Sequence, residues 1–330
     1  MTSEPYHVVG IGNAIVDVIT TAEDAFLQRH GMAKGAMTLV DEARAETLYA
    51  AMGPTTITSG GSAANTVAGI ASLGGRTGYI GKVHDDLLGM AFRHDITAIG
   101  ATFRTPPTTT GPTTARCLIF VTPDAQRTMH TYLGACVTLG PSDVDADLIR
   151  AAHITYLEGY LYDEPLAKEA FHKAADVAHA AGRKVSLSLS DAFCVNRHRE
   201  AFLKLVDHHI DVLFANESEI QALFETDRID TAVARIGELT DLAAITRDAR
   251  GSLVVSSDGV IEVPAAPVEH VIDTTGAGDL YAAGFLYALT TGAAHRACAE
   301  LGSAAAADII AHVGARPQAP LSTLLASTSA

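Results

Sequence analysis

The sequence predicts an α/β fold, with one mostly parallel sheet covered by helices on both faces and a small β-sheet acting as a lid. Two observations carry this expectation. From about residue 143 onward, short apolar strands at 154–157, 185–189, 212–215 and 243–246 alternate with helical segments, of which 165–181 is the clearest. Before that point the β-like pieces are scattered between Gly, Pro and Thr clusters such as 106–112. A length of 330 residues suits a single domain spanning 1–330, and an apolar fraction of 48% can build a sizeable core.

Along the chain, residues 7–11 read as a short buried strand and 14–20 alternate like a half-exposed one. Residues 36–40 are β-like. A helix rich in small residues follows at 63–73, then a strand at 77–80 and a helix near 87–99. Further β-like pieces fall at 114–121 and 128–133. The lid is expected from segments within about 12–20, 35–41 and 102–132, over a site at the carboxyl ends of the main strands. A helix over 280–289 and an Ala-rich helical run at 304–307 lead to a tail, 321–330, expected to fray.

Charge and cysteine usage narrow the function. A net charge of −15 repels phosphate backbones, so nucleic acid is excluded as a partner and a small molecule expected. No apolar run is long enough for a membrane helix, and residues 1–6 lack a basic-then-apolar signal, so a cytoplasmic monomer or homodimer is expected. The four cysteines show no C-x-x-C spacing, which argues against a disulfide framework and a zinc site. A dinucleotide fingerprint starting at Gly10 fails, because its third glycine would fall at Ile15 and a strand follows. No Walker A motif is present.

The strongest signal is Asp273-Thr274-Thr275-Gly276-Ala277-Gly278-Asp279, after the apolar stretch 270–272 and directly before a helix. Two glycines at a helix start let backbone N–H groups converge on one point, where the helix dipole adds positive potential. Such a nest suits the charge on a transferring phosphoryl group. An aspartate in the same turn makes sense when it faces an incoming hydroxyl and takes its proton. Complementing the helix dipole is the ordinary alternative use of Asp279.

This motif resembles the second signature, D-T-x-G-A-G-D, of the ribokinase-like (phosphofructokinase-B type) sugar and nucleoside kinases. The family fold is a Rossmann-like sheet with a β lid. The resemblance implies Asp279 as base, the amides of Gly276, Ala277 and Gly278 as anion hole, and ATP with Mg2+ as cofactors. It also implies a K+ site at Asp273, Thr275 and Gly314. Gly60-Gly61 and Asn65 resemble the first signature, with Val67 where a smaller residue is usual and His84 in place of a glycine before Asp85-Asp86. Asn13 and Asp17 fit the family's G-N-x-x-x-D substrate motif, in which a carboxylate accepts the hydrogens of a vicinal diol. Asn216 and Glu219 fit N-x-x-E, which organises magnesium through water, although an N-cap with an acidic first turn reads equally well. Thr246 and Gly251 fit the nucleotide-phosphate element, with Asp248 replacing its central glycine, and Ser303 stands at a commonly Asn position on the adenine side. Within the family the chain resembles bacterial adenosine-kinase-like members, which would place Met37, Arg127 and Leu133 on the lid side of the substrate pocket. Sugar kinases remain the alternative, and a non-catalytic ligand sensor on the same fold is the reading from another class.

Overall fold

The computed structural model describes residues 4–124 and 126–326. Among these, fourteen strands form two sheets. In chain order they are β1 (Tyr6–Ile11), β2 (Ile15–Thr21), β3 (Met37–Leu39), β4 (Thr56–Ser59), β5 (Thr77–Ile80), β6 (Thr102–Phe103) and β7 (Ala115–Val121). They continue with β8 (Arg127–Tyr132), β9 (Ala152–Glu158), β10 (Lys184–Ser188), β11 (Val212–Asn216), β12 (Leu242–Thr246), β13 (Ser252–Ser256) and β14 (Gly259–Val263).

The large sheet runs β14-β13-β12-β11-β10-β9-β1-β5-β6. It is parallel from β6 to β12 and closes with the antiparallel strands β13 and β14. Strand alternation divides the core. Val9, Ile11, Leu187, Leu213 and Ile245 face one helix layer, which includes Pro165–Ala180 and Ala192–His209. Val8, Tyr156, Phe214 and Ala244 face the other, built from Ser62–Ser72, Ala277–Thr290 and His295–Ile310. Strands buried on both faces are why the sequence shows them as continuous apolar runs.

The small sheet runs β3-β8-β7-β2-β4 and has its own apolar underside around Val18, Leu27, Leu48 and Phe120. Two expectations need correction. Thr102–Phe103, assigned from sequence to the lid, pairs with β5 in the large sheet, because Phe103 packs on Tyr79 and Phe92. Conversely β4 pairs antiparallel with β2 and was not anticipated, since Thr56 to Ser59 offer little apolar alternation. The stretch 270–272 before the anion loop is irregular rather than a strand, with Val271 and Ile272 exposed. In the tail, Leu321–Ala326 forms a 3-10 turn with Leu321 buried, so these residues do not fray; 327–330 lie outside the described residues. Ala125 also lies outside them, as do residues 1–3 of the segment read for a targeting signal.

The strand order reverses at β1, whose neighbours β5 and β9 lead the chain to opposite sides, and this opens a crevice at the carboxyl ends of β1 and β9. Glu158, the last residue of β9, lies in that crevice and is 1% exposed. Its carboxylate accepts from Asn13 N (3.3 Å), Asn13 Nδ2 (2.7 Å) and Ala63 N (2.8 Å), tying the β1–β2 loop to the start of the Ser62–Ser72 helix. Gly12 has no room for a side chain here, since a Cβ would come within 2.3 Å of Glu158 Oε2.

Burial lifts the Glu158 carboxyl from 4.5 to about 7, against the pull of the Ala63 and Asn13 donors and helped by the charge of Asp279. The folded chain therefore binds this proton more tightly than the unfolded one. Its stabilising contribution is complete below pH 4.5 and is lost as pH rises through about 7. Glu158→Gln should flatten the pH dependence of the unfolding free energy over this window by on the order of 2–3 kcal/mol. Urea titrations at a series of pH values measure this, and parallel curves for variant and wild type would refute it.

Candidate active site

The site begins with a close helix crossing. A Cβ on Gly69 would lie 2.6 Å from Ala283 Cβ, so the absence of a side chain lets the Ser62–Ser72 helix press against Ala277–Thr290. That contact brings both helix starts together. Ser62 Oγ donates to Asp279 Oδ1 at 2.6 Å, and Asn65 Nδ2 donates to Oδ2 at 2.9 Å. Thr66 Oγ1 adds a bond to the Asp279 carbonyl at 3.1 Å. Asp279 makes no ion pair among the described residues. Burial pushes its carboxyl above the usual 3.8, while Ser62, Asn65 and the charge of Arg316 pull it back.

Gly276 adopts φ +81°, and a Cβ there would sit 2.8 Å from Ala315 Cβ. This left-handed turn starts the helix that carries Asp279 in its first turn. The three expected anion donors are not equivalent. Ala277 N closes the turn onto Thr274 O at 3.2 Å, whereas the Gly276 and Gly278 N–H groups have no partner among the described residues. A Cβ on Gly278 would meet nothing within 4 Å, so the space beside this residue is open.

Asp17 on β2 approaches from the small sheet, its carboxylate lying against Gly60, where a Cβ would come within 2.5 Å of Asp17 Cγ. Burial raises it to about 6, with Arg127 and Arg316 opposing and Asp279 adding to the rise. Gly61 takes φ +89° with no room for a Cβ beside Asn13 O. Val67 finds its space opposite Gly10, and His84 needs no glycine geometry because its φ is not positive. Met37 lies on edge strand β3, 47% exposed, while Leu133 lines a separate pocket of about 230 Å³ with Leu39, Val40 and Thr131.

Arg127, expected on the lid side of the substrate pocket, lies on β8 of the small sheet, and its charge reaches Asp17. Its guanidinium pairs with Asp273, joining β8 of the small sheet to the anion loop. Burial tends to raise Asp273, yet the Thr275 hydroxyl, the Gly314 and Thr275 N–H groups and Arg127 together hold it below its usual value. Thr275 Oγ1 (2.6 Å) and N (3.0 Å) donate to Oδ1, and Gly314 N (2.9 Å) donates to Oδ2. Both Asp273 carboxylate oxygens are thus engaged by donors, which leaves the backbone carbonyls of Asp273, Thr275 and Gly314 as the oxygens that could face a monovalent cation.

Asn216 and Glu219 form a capping box. Glu219 Oε2 accepts from Asn216 N (2.9 Å), Oε1 from Asn216 Nδ2 (2.7 Å), and Asn216 Oδ1 from Glu219 N (2.8 Å). Burial lifts Glu219 to about 7. Each carboxylate oxygen keeps a second lone pair, so the pair fits a magnesium ion held through water rather than directly. Thr246 ends β12, and Asp248 takes φ +51°, the conformation a glycine would supply, ahead of Gly251 at φ +81°. The replaced glycine therefore leaves the turn intact. Ser303 Oγ is engaged by Ala266 N at 2.7 Å and so anchors the loop after β14.

Sequence reasoning missed Glu158, Tyr160 and Arg316. A charged residue closing an apolar strand was the available signal for Glu158. Tyr160, 39% exposed, follows Glu158 by two residues, and burial together with the charges of Asp191, Asp279, Glu219 and Glu158 shifts its hydroxyl upward. Arg316 follows Gly314 by two residues and donates from Nε to Asn65 Oδ1 at 2.8 Å.

Residues 37–322 match the family model described as pfkB family carbohydrate kinase. A solved adenosine kinase from Sinorhizobium meliloti is 50% identical, with a TM-score of 0.92 over 99% of this chain and 100% of that one. A probable sugar kinase from Rhizobium etli CFN 42 is 46% identical, with a TM-score of 0.93 over 99% of both chains. The adenosine kinase of Saccharomyces cerevisiae is 25% identical over 329 residues, 93% of this chain and 95% of the relative. The fold, the anion loop and the matched span agree, and the chain belongs to the pfkB family of carbohydrate kinases.

Proposed function

We propose that this kinase transfers the γ-phosphoryl group of ATP to the primary hydroxyl of adenosine or a similar nucleoside, with Asp279 as the base. The observation that carries the reading is the Asp279 carboxylate, fixed by Ser62 and Asn65 beside the unpartnered amides of Gly276 and Gly278. The acceptor oxygen bonds to the γ-phosphorus as the bond to the β,γ-bridging oxygen breaks; the hydroxyl proton passes to Asp279, and the electron pair leaves on ADP. Burial moves the base toward neutral pH, where proton acceptance is most effective. The Gly276 and Gly278 amides take the developing charge. Asp17, with Asn13 beside it, suits a ribose diol. Magnesium, when bound with the nucleotide, neutralises phosphate charge, and Asn216 and Glu219 would hold it through water. Thr246 and Gly251 would flank the nucleotide phosphates.

The nucleoside preference is supported by the 50% identity to the Sinorhizobium adenosine kinase. A sugar acceptor is the second reading, favoured by the 46% identity to the probable sugar kinase.

Asp279→Asn should bind both substrates yet lose about 100- to 10,000-fold in kcat; turnover near wild type would overturn the assignment of the base. Because its carboxyl is raised, kcat/KM should fall on the acid side at a pH above 3.8, the ordinary value for aspartate. A pH–rate profile reads this directly. ADP release should be fastest with adenosine when adenosine, inosine, guanosine, ribose and fructose are compared with ATP and magnesium. Turnover confined to the free sugars would establish the second reading instead.

A further inference from the structure

Arg316 is not explained by any motif of the sequence, yet it enters the centre of the site. Ala315 packs against Gly276 of the anion loop, so Arg316 follows that contact by one residue. From there Arg316 Nε donates to Asn65 Oδ1 at 2.8 Å, and Asn65 Nδ2 donates in turn to Asp279 Oδ2 at 2.9 Å. An amide side chain has two faces of opposite polarity. A guanidinium has only donors, so its presence on one side obliges Asn65 to offer its oxygen there and its NH2 to Asp279. Were the amide reversed, its oxygen would face the Asp279 carboxylate and its NH2 the guanidinium, losing both bonds.

Two further observations point to a role beyond packing. Arg316 Nη2 is enclosed and has no hydrogen-bond partner among the described residues. An unsatisfied buried donor of a charged group is costly and marks a place for an acceptor. The carboxylates whose charges reach this guanidinium are Asp17, Asp95 and Asp279, two of them the groups expected to hold the acceptor's diol and its reacting hydroxyl.

We propose that Arg316 is a positioning residue of the phosphotransfer site: it fixes the Asn65 amide so that Asp279 is oriented as base, and its free Nη2 donates to an oxygen of the transferring phosphoryl group. The inference rests on the reading of Asp279 as base. Its second part differs from the amide ring in kind, because it adds a full positive charge between two carboxylates and an incoming polyanion.

Arg316→Ala should lower kcat about 100-fold while changing the KM for the acceptor less than about threefold, since the contacts form at the reacting centre. Guanidinium chloride at low millimolar concentration should restore at least tenfold of this loss, and methylammonium should restore far less, because only the planar ion reproduces the fork. Arg316→Lys should fall between wild type and Arg316→Ala. A kcat within threefold of wild type for Arg316→Ala would overturn the proposal. So would a loss that guanidinium leaves untouched while the thermal midpoint drops, which is the mark of a packing role. Asp279→Asn assayed in parallel separates the two ideas. If that variant keeps turnover, the base itself is wrong; if it is inactive and Arg316→Ala is fully active, only the role of Arg316 fails.

Discussion

The site depends on a single close approach, the crossing of the Ser62–Ser72 and Ala277–Thr290 helices at Gly69 and Ala283. Helix starts carry unpaired N–H groups and partial positive charge, and they rarely lie side by side without anions between them. Here the first helix end is capped by Glu158 through Ala63 N, and its side chains Ser62 and Asn65 reach across to Asp279 on the second. The amides of the second helix end at Gly276 and Gly278 stay unpaired. Donors of this kind at a helix start are suited to an anion, as the proposed reaction requires.

The same crossing explains how a protein of net charge −15 can serve a polyanionic substrate. Surface charge sets long-range steering, but the local field is set by what is desolvated. Asp17, Glu158 and Asp279 are all raised, chiefly by burial, so the pocket resists holding all three as anions at once. Arg316 and Arg127 partly offset them. In the proposed reaction this balance favours one ionised carboxylate beside the acceptor and leaves donors free for phosphate.

Much of the fold was legible in the sequence because strands covered by helices on both faces must be apolar throughout, as at Val212–Asn216 and Leu242–Thr246. Edge elements lacked that signal. Thr102–Phe103 is two residues long, β4 is mostly exposed, and both were misread or missed. The anion loop was legible because its glycines open a helix, and at Gly276 the left-handed turn against Ala315 leaves no room for a side chain. Glu158 and Arg316 were not, because their meaning lies in partners 95 and 251 residues away in the chain. Asp248 shows the converse: a departure from a glycine motif keeps the turn because Asp tolerates the left-handed conformation at φ +51°.

The pair Arg127–Asp273 gives the small sheet a mechanical tie to the chemistry. Arg127 belongs to β8, whereas Asp273 opens the loop that carries the free amides. Both side chains are nearly buried, at 11% and 7% exposure, so separating them would strand two charges in a poorly solvated crevice. Asp17, the group suited to the acceptor's diol, lies on β2 of the same small sheet, joined to β8 through β7. Movement of that sheet would therefore disturb Asp273 and the loop it opens. In the proposed reaction, acceptor binding and the shape of the phosphate nest would then be linked by covalent chain and ion pair alike, and a lid built this way would close on both substrates together.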